Sequence, residues 1–142
     1  MIIAGLQKLT LIDYPEEIAC EVFVRGCKYK CPTCHSKHIV NGDGNYSEKD
    51  VFDYLDKPGI KDFIDGVVIC GGEPTNQIDL PYFCRKIKDR GFSVKLDTNG
   101  TNPTILKKLF DMNLIDYIAM DVKGSLDNYY TVADANVNLD SI

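Results

Sequence analysis

The chain has 142 residues, of which 44% are hydrophobic and 26% charged, and its formal net charge at pH 7 is −5. This size and composition predict one folded domain with a buried core and argue against a disordered chain. The negative charge and the lack of an obvious basic stretch argue against nucleic acid as the main partner. No apolar run is long enough to span a bilayer, and no signal-peptide pattern follows Met1, so the expected location is the cytoplasm, without membrane attachment.

Apolar strand patterns alternate with amphipathic helix patterns along the chain. The predicted strands lie at 18–24, 66–70, 92–96 and 117–120. A predicted helix follows each of the first three strands: the first is opened by the N-cap Ser47 with a capping box, and the third is begun by Asn102 and Pro103. The second helix has an apolar stripe at Leu80, Phe83, Cys84 and Ile87, and the third has an apolar side at Ile105, Leu106, Leu109 and Phe110. This order predicts an α/β fold with a parallel sheet and right-handed crossovers. After Gly124 the pattern fades: residues 125–130 allow one helical turn, and 131–142 are expected to be a ragged end or a segment that orders only against a partner.

Three of the six cysteines, Cys27, Cys31 and Cys34, lie in one loop with the spacing C-x3-C-x2-C. Clustered cysteines in a chain without an export signal are more typical of metal or redox sites than of disulfides. Three thiolates can hold a four-iron cluster by three corners and leave the fourth iron open to a substrate. The remaining cysteines are predicted to be buried core residues: Cys20, Cys70 and Cys84.

A zinc site is the competing interpretation of the cysteine loop. Structural zinc usually takes four ligands from two separated pairs, whereas here one compact triplet stands alone. His38 is spaced to complete a Cys3His set, and His35 directly follows Cys34, which makes shared ligation awkward. Both histidines are interpreted as loop or surface residues, but spacing alone leaves zinc open.

Each of the four predicted strands runs directly into residues that can carry chemistry. The first strand meets the cysteine loop, and the next three meet the segments 71–75 (GGEPT), 97–100 (DTNG) and 121–123 (DVK). Each segment taken alone is an ordinary turn composition. The carboxyl ends of parallel strands share one edge, where the active sites of such folds form, so the four segments together predict one site.

The side chains at these strand ends suggest contacts with a polar ligand. Two glycines, as at 71 and 72, let a ligand lie against the backbone, and Glu73 could accept a hydrogen bond from an ammonium group. Asp97 and Asp121 are a candidate polar or cation-binding pair, with turn or N-cap residues as the alternative. Lys123 could meet a ligand carboxylate, although a solvated lysine is the more ordinary interpretation.

These motifs together resemble the radical S-adenosylmethionine superfamily, which carries a C-x3-C-x2-C loop after a first strand and a GGEP motif after the second. The triplet followed by His35, the string at 96–100 (LDTNG) and the string at 121–123 (DVK) are similar to the glycyl-radical-enzyme activating enzymes, such as the activase of pyruvate formate-lyase. The segment 5–15, GLQKLTLIDYP, looks most like the activating proteins of anaerobic ribonucleoside-triphosphate reductase. The resemblance covers residues 5–124.

The resemblance implies a partial, open parallel β/α barrel of the radical SAM type, with four clear strands and room for one or two more near the ends. It implies that Cys27, Cys31 and Cys34 hold a [4Fe-4S] cluster whose open iron is chelated by S-adenosylmethionine (SAM). One electron from a flavodoxin or ferredoxin would then cleave SAM to methionine and a 5′-deoxyadenosyl radical. That radical would take a hydrogen atom from a glycine of a partner glycyl radical enzyme, so the chain is expected to be a radical SAM oxidoreductase.

The resemblance also assigns residues to the cofactors. Glu73 with its neighbouring glycines would position the methionine amino group, Lys123 would meet its carboxylate, and Asp97 with Asp121 would help to hold a monovalent cation. The implied cofactor-binding residues are Thr33, Gly71, Gly72, Glu73, Pro74, Asp97, Asp121 and Lys123.

Three features depart from the activating-enzyme pattern. Thr33 stands where many of these enzymes carry an aromatic residue, a position used largely through its backbone near adenine, and Ser36 replaces a common asparagine. The predicted single domain, residues 1–142, is also short, which fits either the small reductase activases or a protein with a missing C-terminal part. The alternative functions are an activase of a pyruvate formate-lyase-like enzyme, a radical SAM enzyme acting on a small molecule, and a non-catalytic zinc or electron-transfer module.

Overall fold

The computed structural model describes residues 1–142, with Ser141 described by its backbone alone. The strands are β1 (Ile3–Thr10), β2 (Ala19–Val24), β3 (Gly66–Gly71), β4 (Ser93–Thr98) and β5 (Tyr117–Met120). The α-helices are α1 (Lys37–Val40), α2 (Glu48–Leu55), α3 (Leu80–Lys88), α4 (Pro103–Asp111) and α5 (Tyr129–Ala133), and short 3-10 turns lie at Ile60–Asp62, Pro74–Asn76, Leu126–Asn128 and Leu139–Ser141. Within the described chain, no helix is long and apolar enough to cross a membrane.

The strands form one open sheet in the order β1-β2-β3-β4-β5. Strands β2 to β5 are parallel, as the alternating sequence pattern predicts, whereas β1 pairs antiparallel with β2. The sequence pattern did not identify β1. Only its terminal residues, Ile3 and Thr10, are buried, so this edge strand lacks the alternation of buried and exposed residues that marks a strand. The sheet therefore presents the carboxyl ends of four parallel strands on one edge, as expected.

The main core lies between the sheet and helices α2 and α3. The predicted stripe of α3 is confirmed, because all four of its residues are buried in this core. The scattered cysteines at positions 20, 70 and 84 are also buried, as predicted. The prediction for Phe110 is wrong: this side chain is 48% exposed, because α4 lies at the edge of the sheet and buries only a narrow strip centred on Leu109.

The C-terminal segment folds against the cysteine loop. Residues Leu126–Asn128 form a 3-10 turn, α5 follows, and Tyr129, Ala133 and Val137 are buried with Tyr29 and Cys31 in a second apolar cluster. The expectation of a ragged end, or of order only against a partner, is therefore wrong. The segment shows no clear period because its apolar side chains contact an irregular loop and not the flat face of a sheet.

Replacing Tyr129 by alanine is expected to release this segment from the loop. The Tyr129 ring is 1% exposed and packs edge-on against Tyr29, and truncating such a buried aromatic side chain costs about 3–5 kcal/mol. The amide of Lys30, which donates to the carbonyl of Ala133 at 2.9 Å, should then lose protection in hydrogen exchange. Tyr130→Ala is the control, because its ring is largely exposed. Unchanged protection of Lys30 in the Tyr129 variant would contradict the packing described.

Candidate functional site

A cavity of about 330 Å³ opens at the carboxyl edge of the parallel strands, below the cysteine loop. Its walls come from the cysteine loop and from the segments that follow β3, β4 and β5. The residues predicted from the sequence that line it are Cys27, Cys31, Thr33, Cys34, Gly71, Gly72, Glu73, Asp97, Asp121 and Lys123. The tertiary structure thus brings the four predicted segments together around one space.

Pro74 is the exception among the predicted site residues. It is buried, is not among the residues that line the cavity, and begins the 3-10 turn Pro74–Asn76 directly after Glu73. The proline ring fixes φ at a value suited to the first position of such a turn. The position of Pro74 therefore fits a role in shaping the backbone that follows Glu73.

The cysteine loop begins where β2 leaves the sheet. Gly26 has a φ of 87°, a left-handed conformation that favours glycine, and Cys27 follows it. The Cys27 sulfur accepts a hydrogen bond from the amide of Tyr29 at 3.4 Å, and the Cys31 thiol lies 3.8 Å from the carbonyl oxygen of Ala133. Burial raises the pKa of the Cys27 thiol, and the nearby Glu73 carboxylate and the other two thiols raise it further. A metal that replaces the thiol proton would offset this cost.

The three thiols of the cysteine loop are the donor type that an iron–sulfur cluster takes, with one thiolate on each of three irons. A structural zinc ion would need a fourth ligand that converges with them. His38, the residue spaced to complete a zinc set, is exposed and is not among the cavity-lining residues, while His35 lies exposed at the cavity.

Glu73 connects three segments of the site. Its backbone amide donates to the carbonyl of Gly26 at 2.8 Å, which ties the end of β3 to the cysteine loop. Its carboxylate is 1% exposed and accepts hydrogen bonds from Thr98 Oγ1 and the Asn99 amide, both at 2.7 Å, and from the Thr75 amide at 3.1 Å. One oxygen, Oε2, accepts only the Asn99 bond, so that oxygen keeps capacity for another donor.

Substituting Gly72 by alanine is expected to displace the cysteine loop. A Cβ at this position would lie 2.1 Å from the carbonyl oxygen of Gly26, a backbone atom that can move only together with the loop. We expect the purified variant to carry much less iron per chain after anaerobic reconstitution. Gly59→Ala is the control: its φ of 81° strains an added Cβ, but no atom lies within 4 Å of that Cβ, whereas Gly72 has no positive φ and is limited by the clash alone. Iron content equal to that of the unmodified protein in the Gly72 variant would refute the expected clash.

Each of the two predicted aspartates has a lysine partner. Asp97 forms an ion pair with Lys95, and Lys123 Nζ donates to Asp121 Oδ2 at 2.7 Å. Burial raises the pKa of Asp97 despite the Lys95 contact, and the charge of Asp121 adds to this rise. Burial lowers the pKa of Lys123, but the hydrogen bond to Asp121, together with the charges of Asp121 and of the Cys31 and Cys27 thiolates, outweighs burial, so the net shift is upward. Lys123 is thus held in its charged form at the cavity.

Sequence patterns did not single out a polar pair on the inner face of the sheet. Glu21 on β2 is 8% exposed and accepts a hydrogen bond from the Cys70 thiol at 2.9 Å, and both residues line the cavity. Burial raises the pKa of both groups. The available signal was the position of Glu21 as the single charged residue within the apolar run 18–24.

The fold and the site define a class: a parallel α/β sheet whose carboxyl edge carries a three-cysteine loop above a substrate-sized cavity. The model of the Radical SAM superfamily matches residues 22–138 of the chain, and the chain belongs to that superfamily. Members of this superfamily use a [4Fe-4S] cluster and SAM, and the cysteine set described above fits the cluster.

Two curated relatives carry the names of activating enzymes. A protein of Methanocaldococcus jannaschii, provisionally named a glycyl-radical enzyme activating enzyme, is 39% identical over 130 residues, which are 90% of this chain and 52% of that protein. A pyruvate formate-lyase-activating enzyme of Listeria monocytogenes is 33% identical over 114 residues, which are 72% of this chain and 45% of that enzyme. The chain thus spans about half the length of these relatives.

Solved structures support the fold alone. QueE from Escherichia coli aligns with a TM-score of 0.54 at 23% sequence identity, over 70% of this chain and 52% of that one. A structure of TYW1 with a lysine-pyruvate adduct bound aligns with the same TM-score of 0.54 at 18% identity, over 83% of this chain and 46% of the other. These matches agree with the open, largely parallel sheet.

Proposed function

We propose that this chain is the radical SAM domain of a glycyl-radical-enzyme activating enzyme. The observation that carries the proposal is the single cavity into which the cysteine loop and the segments after β3, β4 and β5 all open. The names of the M. jannaschii and L. monocytogenes relatives support the activating role. The open sheet also suits a substrate glycine that belongs to a macromolecule, because the two edge strands of the described chain do not pair with each other, and beyond its pairing with β2 the edge strand β1 carries only the isolated bridge between Ile3 and Tyr46.

Some residues at the cavity would hold the cluster, and others would position SAM. When bound, the cluster and SAM supply a one-electron cleavage that yields methionine and a 5′-deoxyadenosyl radical able to take a hydrogen atom from a glycine. Cys27, Cys31 and Cys34 would hold the cluster. Glu73 Oε2 would accept a second hydrogen bond, from the ammonium group of the ligand. Lys123 would give up part of its contact with Asp121 and bind the carboxylate of the ligand.

Further ligand contacts follow the same edge of the sheet. Thr33 would approach the adenine through its backbone, and the glycines at 71 and 72 would let the methionine part of SAM lie close to the chain. Asp97 and Asp121 would contribute to a monovalent cation site while they keep their ion pairs with Lys95 and Lys123. A reactive carbon radical requires that water be kept out, and the C-terminal segment behind the loop contributes to that enclosure.

The proposed partner is anaerobic ribonucleoside-triphosphate reductase, with a flavodoxin or ferredoxin as the electron donor. The segment that resembles the reductase activators forms β1 and the loop after it, where Leu11 and Ile12 are largely exposed, the latter by 88%. Exposed aliphatic side chains on such a loop suit contact with another protein.

Anaerobic reconstitution tests the proposal in two stages. Reduction by dithionite in the presence of SAM should yield 5′-deoxyadenosine, with iron and sulfide bound to the chain. Incubation with a reductase that carries the glycine should then give a glycyl radical, seen by electron paramagnetic resonance (EPR). One zinc per chain without sulfide would refute the radical SAM activity, and deoxyadenosine without a glycyl radical on any such enzyme would refute the activating role.

A further inference from the structure

A second cavity, of about 400 Å³, lies on the outer side of the cysteine loop. It is enclosed by the loop, by the connection between β4 and α4, and by the C-terminal segment, and its lining residues are Lys28, Tyr29, Lys30, Thr101, Asn102, Asp134, Ala135, Asn136 and Asn138. We call this cavity the outer recess. Tyr29 is the one described residue that lines both the outer recess and the cavity of the three cysteines.

The Tyr29 side chain therefore contributes to the walls of both cavities. Tyr29 is 6% exposed, and its ring packs edge-on against Tyr129 with 6.4 Å between the centroids. On the same side, the amide of Lys30 donates to the carbonyl of Ala133 at 2.9 Å, which holds the loop against the C-terminal segment. A redox group seated in the outer recess would contact the same packed tyrosine that lines the cysteine cavity.

The cysteine-loop side of the outer recess is positively charged, although the chain as a whole is negative and the C-terminal segment on the other side carries Asp127, Asp134 and Asp140. Residues 26–42 contain Lys28, Lys30 and Lys37 and no aspartate or glutamate, in a chain with a net charge of −5. All three lysines are exposed, and the described structure shows no ion pair for Lys28 or Lys30. Asp134 is the one acidic residue that lines the recess. Such a patch attracts an anionic surface and raises the rate of its association.

We propose that the outer recess is the docking site of an acidic one-electron carrier protein, which reduces the cluster across Tyr29. This inference rests on the proposed function, because only a cluster that must be reduced needs such a donor. The exposed lysines of the loop favour an acidic partner, and the shared Tyr29 places the redox group of that partner near the cysteine loop. The inner cavity stays free for SAM and the substrate, so electrons and substrate would reach the cluster through different cavities.

The test compares two double variants with equal changes in charge. Lys28→Glu/Lys30→Glu reverses the patch, and Lys57→Glu/Lys61→Glu is the control, because those exposed lysines lie between α2 and β3, at the amino edge of the sheet. Reduction of the cluster by reduced flavodoxin, an acidic flavoprotein, is followed by stopped-flow absorbance per bound cluster. We expect the first variant to be reduced roughly tenfold more slowly at low salt, with little difference at high salt, and the control to be unaffected.

Dithionite separates failure of this inference from failure of the proposed function. With dithionite, a small reductant that needs no docking, both variants should cleave SAM at the rate of the unmodified protein. Reduction of the Lys28/Lys30 variant by flavodoxin at the unmodified rate, or equal slowing in the control, would overturn the docking site. Unchanged cluster reduction with slower glycyl radical formation would place the substrate enzyme at the recess and would also overturn it. If the charge reversal lowers cluster content, Lys28→Gln/Lys30→Gln provides the same comparison with a smaller expected slowing.

Discussion

Replacing Cys31 by alanine is expected to abolish both iron binding and 5′-deoxyadenosine formation. Cys31 is buried between the cysteine cavity and the C-terminal segment, and no other cysteine lies in the loop besides Cys27 and Cys34. Two thiolates cannot hold three corners of a cluster, and the packed segment around position 31 leaves little room for a replacement ligand. Iron and sulfide per chain, together with deoxyadenosine measured after dithionite reduction, provide the readout.

Cys84→Ala is the matched control for this variant. The substitution is chemically identical, but Cys84 is fully buried in the main core on α3 and does not line the cavity. It should keep a full complement of iron and lose only a modest part of the free energy of unfolding. Undiminished deoxyadenosine formation in Cys31→Ala would remove Cys31 from the cluster assignment.

Replacing Glu73 by alanine is expected to cause a large loss of folding stability, in addition to any loss of SAM affinity. The substitution removes the acceptor of the buried amides of Thr75 and Asn99, and each buried amide left without an acceptor costs about 1–3 kcal/mol. The hydroxyl of Thr98 loses its partner as well. The free energy of unfolding, measured by urea titration with circular dichroism, should therefore fall by several kcal/mol.

A surface carboxylate provides the comparison for Glu73. Asp53 is exposed on α2 and pairs only with the exposed Lys49, so Asp53→Ala should change the unfolding free energy by no more than about 0.5 kcal/mol. A Glu73→Ala protein as stable as the Asp53 variant would mean that the hydrogen bonds described do not hold the strand ends together. Glu73→Gln keeps the volume of the side chain but replaces one accepting oxygen by an NH2 donor, so it tests the charge together with one of the two acceptors.

Several parts of the fold could be read from local patterns because their signals are short-range. The capping box at Ser47 is present, with Ser47 Oγ accepting from the Asp50 amide and Asp50 accepting from the Ser47 amide. The four parallel strands and the buried stripe of α3 also follow from runs and periods within single elements. Such patterns depend on a residue and its near neighbours, which the sequence contains in full.

Other parts depend on contacts between distant residues and gave no local signal. Strand β1 is defined by its pairing with β2, and the C-terminal segment by packing on a loop about 100 residues earlier, as in the Cys31–Ala133 contact. The pairing of Glu21 with Cys70 joins two strands, so neither residue alone indicates it. The exposure of Phe110 reflects the position of α4 at the edge of the sheet.

The sequence by itself determined the chemistry available to this protein: three closely spaced thiols, a glycine pair, and carboxylates and a lysine placed directly after apolar strands. These follow from residue identity and spacing, which need no knowledge of the rest of the chain. Only the tertiary structure decided that the Glu73 carboxylate accepts hydrogen bonds from Thr75, Thr98 and Asn99. It also decided that one tyrosine lines both the cysteine cavity and a second recess beside Lys28 and Lys30. Both outcomes depend on the distances between segments far apart in sequence, and packing alone sets those distances.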